Sequence, residues 1–334
     1  MNISACVIVK NEEKHLRECL ESLRFADEVI LVDTGSKDKT LDIAKEFANV
    51  KIFKKSFNKY YFSDWKLKKL FHFSNARNFA LDMATKDWIL TIDADERVEN
   101  PTHIGKLLEY DEITAWRLDQ VSIIKSGGKE IETPCSSTRL WRNHLGIRYE
   151  KIVHETVDEY LEREQLRVEK CDARLIHVGF LDNKFSKQKA LRVIEAIKYE
   201  KQPYMWYYLG VAYTQLEDID NATECFIKAV QTPMAGNIKA HAYCILADIY
   251  RQSSLFYTDL SREMIGKSFE LAPNQNLGHL IMAEIYKQEG NKAMAGRQYK
   301  ALKNKDTSKS QMHQDILVSK KDINSKIHEL ITSK

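Results

Sequence analysis

Residues 88–96 read WILTIDADE, an uncharged apolar run that ends at Asp93, Ala94, Asp95 and Glu96. Trp88 to Ile92 is short and β-preferring, as expected of a strand buried on both faces. Carboxylates spaced by two on an extended segment project to the same side. Asp93 and Asp95 would therefore repel each other unless a cation or a donor group neutralised them. Mg²⁺ or Mn²⁺, bound by one or two carboxylates together with substrate phosphate, meets that need. Solvated loop carboxylates or a helix cap are the plainer reading of so short a motif, so its surroundings have to decide.

Towards the N-terminus the same pattern recurs. Residues 3–9 (ISACVIV) form a continuous apolar run followed by Lys10, Asn11, Glu12 and Glu13, then by Leu16, Leu20 and Leu23 at helical spacing. Residues 28–32 (EVILV) form a second run, which stops at Asp33, Thr34, Gly35 and Ser36, and residues 40–47 are again helical in pattern. Residues 50–53 read as a third strand, 75–84 as a helix and 88–92 as a fourth strand. Alternating strands and helices imply βαβ units and an α/β fold with a mainly parallel sheet. Ligands of such sheets bind outside the carboxyl ends of the strands. The polar clusters at 10–12, 33–36 and 93–96 all fall there, on one rim.

From about Ser186 the period changes. Trp206, Leu209, Gly210, Tyr213, Ala222, Phe226 and Ala229 follow the spacing of a tetratricopeptide repeat. A weaker copy contains Leu246, Ala247, Tyr250, Phe269 and Ala272; a third contains Met282, Ala283, Tyr286, Gly290, Ala295 and Tyr299. Tyr213, Tyr250 and Tyr286 recur near the ~34-residue period. The expected division is 1–183 for the α/β domain, 184–305 for helical repeats, and 306–334 for a capping helix or tail. The aromatic residues Trp206, Tyr207, Tyr208 and Tyr213 read as helix-packing core.

Composition narrows the function classes. The chain has 334 residues, 43% hydrophobic and 30% charged, with only 12 Gly and 5 Pro. Lys and Arg number 51 against 48 Asp and Glu, a net charge of +3 that offers no support for nucleic-acid binding. The six cysteines form no CxxC pair, which argues against a zinc site and a disulfide framework and for reduced thiols. No run approaches the ~20 apolar residues of a membrane span, and no signal segment is evident at Met1. A cytoplasmic location is the expectation.

The segments Ile8-Val9-Lys10-Asn11-Glu12, Val32 to Thr40, Ala76-Arg77-Asn78 and Leu90 to Glu96 occur in an order and spacing that resemble the family 2 glycosyltransferases of the GT-A fold. The resemblance is close over about 1–100 and looser over 100–180. With the helical repeats, it points to the subgroup in which such a domain is fused to tetratricopeptide repeats. Members of that subgroup glycosylate peptides, including on cysteine, or modify lipopolysaccharide core sugars and other glycans.

The resemblance implies roles. Asp33 would accept hydrogen bonds from the uracil or ribose of a UDP-sugar, with helix capping as the alternative. Val9, Lys10, Asn11 and Glu12 would line the base pocket. Arg77 would clamp base or diphosphate through its fork of donors. Within Asp93-Ala94-Asp95, Asp93 would face ribose and metal while Asp95 would hold Mn²⁺ or Mg²⁺ against the phosphates. His177 would be a further metal ligand, or else a satisfied core histidine. An inverting displacement needs a base on the acceptor. The family's usual Glu-Asp pair is absent, leaving Glu155 first and His154 second. Arg139 and Arg142 would contact diphosphate or acceptor, or be exposed charges.

The basic and aromatic stretch 54–73 reads as a partly buried loop, with an acceptor lid or a peripheral membrane contact as functional alternatives. The implied partners are a UDP-sugar and a peptide, protein or glycan acceptor recruited by the repeats, which could also join two subunits as a homodimer. The rivals are an enzyme acting on lipopolysaccharide core or a lipid-linked glycan, and a noncatalytic scaffold. A nucleotidyltransferase would need a glycine-rich phosphate loop where Lys10 to Glu13 stand.

Overall fold

The chain separates into two units, Met1–Lys184 and Phe185–Lys334. The computed structural model describes residues 2–63, 66–126, 129–151, 154–179, 187–197, 204–253 and 257–303. The expected capping helix at 306–334 lies outside the described residues.

The strands of the first unit are β1 (Ile3–Val9), β2 (Glu28–Asp33), β3 (Val50–Lys54), β4 (Asn58–Ser63), β5 (Lys66–Phe71), β6 (Trp88–Thr91), β7 (Glu96–Val98), β8 (Ala115–Ser126), β9 (Lys129–Arg142) and β10 (Val168–His177). Its helices are α1 (Leu16–Ser22), α2 (Thr40–Ala44), α3 (Phe73–Met83), α4 (Pro101–Leu107) and α5 (Asp158–Arg163). Among the described residues, eight strands pair in the order β3-β2-β1-β6-β9-β8-β10-β7. The first four are parallel, as the alternating pattern predicts. The other half is mixed: β9 runs antiparallel to β6 and β8, β10 parallel to β8, and β7 antiparallel to β10. A direct hairpin joins β8 to β9, and a connection that short permits only antiparallel pairing.

Both faces of the sheet are covered, which explains the unbroken apolar runs. Along β1, Ala5, Val7 and Val9 pack with Leu16 and Leu20 of α1 on one face. Cys6 joins Ala76 and Ala80 of α3 on the other. The small face of α3 lets it lie close to β1, where Cys6 Sγ is 3.7 Å from the Ala80 carbonyl oxygen. At the amino ends of the strands the buried Glu28 carboxylate accepts from Ser4 Oγ at 2.6 Å, Thr85 N–H at 2.7 Å and Lys51 Nζ at 2.5 Å. These donors clip β1, β2, β3 and the turn before β6 together.

The stretch 54–73 departs from the expected loop. Strands β4 and β5 form a separate antiparallel pair with Asn58 opposite Phe71. Its root is aromatic: Phe57 contacts Phe71 and Phe79, and Lys55 Nζ stands 4.1 Å over the Phe79 ring. An apolar anchor at the base of the pair replaces the loop that its lysines suggest.

The second unit is helical: α6 (Lys187–Ile197), α7 (Met205–Gln215), α8 (Ile219–Gln231), α9 (Gly236–Ser253), α10 (Thr258–Leu271), α11 (Asn276–Gln288) and α12 (Lys292–Lys303). Gly210 of α7 faces Phe226 of α8 so closely that a Cβ there would be 2.8 Å from the ring. Gly278 of α11 meets Phe269 of α10 at the same distance. Asp218 caps α8 by accepting from Asn221 N–H. Among the described residues no helix is long and apolar enough to cross a membrane.

Candidate active site

The parallel strands deliver their carboxyl ends to one rim, and hydrogen bonds between loops lace that rim together. Register places Val9 beside Asp33. The Thr34 N–H and hydroxyl both donate to the Val9 carbonyl at 3.0 Å. Asn11, in the left-handed region at φ 59°, donates its N–H to Ser36 Oγ and accepts from Lys37 N–H at 2.8 Å. Glu12 N–H donates to Thr40 Oγ1 at 2.7 Å. The loops after β1 and β2 therefore behave as one surface. Lys10 is exposed on it, whereas Asp33 is buried and accepts from Ser36 N–H at 2.9 Å. Both readings of Asp33 survive this geometry, since one carboxylate oxygen can cap the turn and leave the other for a ligand.

Beside this surface lies a chain of buried and half-buried charges. Arg77, in the second turn of α3, donates from Nε to Glu155 Oε1 at 2.8 Å and from a terminal nitrogen to Asp93 Oδ1 at 2.7 Å. Its guanidinium carbon also sits 5.4 Å from the Tyr149 ring centre. Arg139 reaches Asp93 Oδ2 at 3.6 Å and Glu96 Oε1 at 3.1 Å. Glu96 is fully buried; it accepts from Asp93 N–H at 2.7 Å and from Gln120 Nε2 at 2.5 Å. Three carboxylates thus share two guanidinium groups. Burial alone would raise the Asp93 pKa, but Arg77 and Arg139 hold it well below the usual carboxylate range. For Glu96 burial wins over Arg139 and pushes the carboxyl up to about 7. Glu12 is also pushed up to about 7, by burial and by the charges of Asp95, Asp38 and Asp93.

Asp95 has a different partner. Its Oδ2 lies 3.1 Å from His177 Nε2 at the end of β10, and the Val178 N–H donates to its carbonyl at 3.0 Å. Burial opposes protonation of His177, yet the bond to Asp95 and the Glu96 and Asp93 carboxylates leave its pKa raised. Gly179 then passes directly over the pair. A Cβ at Gly179 would overlap Asp95 Oδ2 and stand 3.1 Å from His177 Nε2.

These residues pass a simple test of fit to a divalent cation. Asp95 Oδ2 and His177 Nε2 share a hydrogen bond at 3.1 Å, and a cation between them would take the place of that bond. Gly179 leaves room for the Asp95 carboxylate itself, which occupies the place a Cβ would take. Among the described residues no group of three or more His, Cys, Asp or Glu side chains is arranged to hold a metal. A cation held by Asp95 and His177 would have to draw its remaining ligands from phosphate oxygens and water. Asp93, expected beside Asp95 at the metal, has its oxygens turned to arginine instead.

Ala94 is buried and His154 is exposed at φ 55° beside Glu155. Val153 lies outside the described residues. The paired expectations for the hairpin arginines separate cleanly. Arg139 lies inside the charge chain, while Arg142 packs over Trp88 and donates to the Ile113, Tyr110 and Asp111 carbonyls. A cavity of about 430 Å³ lined by Leu81, Ile89, Trp141, Arg142, Ile147 and Arg148 adjoins that second arginine, at the amino end of β6. Sequence reading assigned no role to Glu96, Gln120, Ser122, Tyr149 or Gly179. Glu96 directly follows the Asp pair and was visible as a charge, but its burial was not.

Residues 4–132 match the family described as Glycosyl transferase family 2. Residues 4–132 of the first unit thus carry a family 2 glycosyltransferase domain. Residues 203–232 match the tetratricopeptide repeat, so that domain is followed by at least one such repeat. A TPR repeat-containing protein of Synechococcus elongatus is 36% identical over 163 residues, 48% of this chain and 36% of the relative. The lipopolysaccharide core biosynthesis glycosyltransferase LpsC of Rhizobium meliloti is 29% identical over 123 residues, 35% of this chain and 41% of LpsC. The chain thus spans well under half the length of these relatives. Among solved structures, that of S. aureus TarS 1–349 aligns over 90% of both chains at 15% identity and a TM-score of 0.41.

Proposed function

We propose that the first unit transfers a sugar from a UDP-sugar, with a divalent cation and inversion at the anomeric carbon, to a peptide or protein acceptor recruited by the helical repeats. The observation that supports this most is the Asp95–His177 pair under the bare backbone of Gly179. A cation bound there would neutralise the charge that grows on the departing nucleoside diphosphate. Asp33 and the loop of Val9, Lys10, Asn11 and Glu12 would receive the nucleoside. Arg77 and Arg139, held at the rim by acidic partners, would face the diphosphate side.

In the transfer, the acceptor's O–H or S–H attacks the anomeric carbon as the bond from that carbon to phosphate oxygen breaks. Glu155 takes the acceptor proton, and the electron pair of the broken bond leaves with UDP. Glu155 fits this role because Arg77 holds it beside Asp93. The exposed His154 is the second choice.

A glycan acceptor is the second reading, favoured by the likeness to LpsC, a protein of lipopolysaccharide core biosynthesis. Calorimetric titration with UDP, with and without Mn²⁺, tests the shared part of both. Cation-dependent binding that Asp95→Ala abolishes supports it; absence of UDP binding under every condition overturns it. Competing peptide and glycan acceptors in a UDP-sugar turnover assay then separate the two.

A further inference from the structure

His177 lies between two neighbouring strands. Across β7 its register partner is Glu96, and across β8 it is Ser122. Ser122 is fully buried, and its Oγ lies 3.1 Å from His177 Nδ1 while His177 Nε2 faces Asp95. One ring nitrogen thus meets a hydroxyl and the other meets the proposed cation seat.

We propose that Ser122 is a positioning residue, whose hydroxyl holds the His177 ring with Nε2 directed at the Asp95 seat for a divalent cation. The proposal rests on the cation-assisted reading above. An imidazole that offers the Nε2 lone pair to a cation carries its proton on Nδ1. Ser122 Oγ then accepts a hydrogen bond from that Nδ1–H, selecting the tautomer and the ring angle together. Partners of this kind, one bond removed from the metal, typically alter affinity about 10- to 100-fold when removed.

The test is Mn²⁺ titration by calorimetry on the full chain in saturating UDP, with thermal unfolding of each variant recorded alongside. Ser122→Ala and the near-isosteric Ser122→Cys are expected to lose about 10- to 100-fold in Mn²⁺ affinity, and Ser122→Thr to remain near wild type. Cysteine preserves the volume, so it carries the test if the alanine variant does not fold. In the double variant with His177→Ala, the loss should not exceed that of His177→Ala alone, because the hydroxyl acts only through the ring. Wild-type affinity in Ser122→Cys overturns the proposal, as does a loss that adds in full to that of His177→Ala. If the wild type itself shows no Mn²⁺-dependent binding of UDP, the functional reading has failed and takes this proposal with it. Normal wild-type binding with an unaffected Ser122→Cys variant sinks the proposal alone.

Discussion

The backbone of Gly179 runs so close to Asp95 that a Cβ there would stand 2.9 Å from the aspartate Cγ. The obstructed group is the end of a side chain, which can rotate away. Gly179→Ala should therefore fold while displacing the Asp95 carboxylate from His177. Cation affinity should fall at least tenfold, a loss of about 1.4 kcal/mol. Metal titration alongside a melting curve checks this, and unchanged affinity in a folded variant would contradict it.

Arg77 binds two carboxylates from distant parts of the chain. Removing it leaves Glu155 without its cation and Asp93 with only the more distant Arg139 at 3.6 Å. Breaking a buried pair in this way costs about 3–5 kcal/mol, and the partial exposure of Asp93 favours the lower end. Arg77→Ala should lose about 3 kcal/mol in urea unfolding. A loss below 1 kcal/mol would mean that water screens the pair.

Glu155→Gln keeps an oxygen for Arg77 Nε but cannot take a proton. Turnover should fall by about 10²- to 10⁴-fold, the usual contribution of a general base. UDP affinity should barely change. Retained turnover would move the base to His154, testable by His154→Ala in the same assay.

In the second unit, His241 is fully buried; its Nδ1 lies 2.9 Å from Tyr207 Oη and, among the described residues, its Nε2 has no hydrogen-bond partner. Burial lowers its pKa to about 4. At pH 5 the unfolded chain binds this proton and the folded one does not, so folding stability rises with pH between about 4 and 6.5. Acidification should cost roughly 3 kcal/mol across that window and no more from this group below it. His241→Phe should flatten the slope in urea unfolding at pH 4.5 and 6.5; an unchanged slope would assign it elsewhere.

Much of the parallel half was legible because its strands are buried on both faces and read as unbroken apolar runs. The run at 3–9 coincides with β1, and 88–92 exceeds β6 by one residue. Gly210 and Phe226 were readable as a repeat because their spacing lies within one helical hairpin. Ser122 was not, since nothing in Val121-Ser122-Ile123 indicates that register will set it beside His177. Glu96 looked like any solvated charge, because the partners that satisfy it, Arg139 and Gln120, come from β9 and β8. The hairpin at 58–71 was hidden by lysines, whose pattern says little about an aromatic root at Phe57 and Phe79.

The pairing of Asp95 with His177 also bears on how the protein is made. Asp95 follows β6, yet its partner belongs to β10, the last strand among the unit's described residues. A ribosome must therefore deliver all of β8 and β9 before the two can meet. The parallel half, complete by Thr91, can assemble earlier from local βαβ contacts, but a chain stopped at residue 150 would lack the histidine and Gly179. Nascent chains arrested at successive lengths would then acquire the seat abruptly, near the end of the unit, and not by degrees. Contacts so distant in sequence are slow to form, so competence to bind a cation would mark a finished domain.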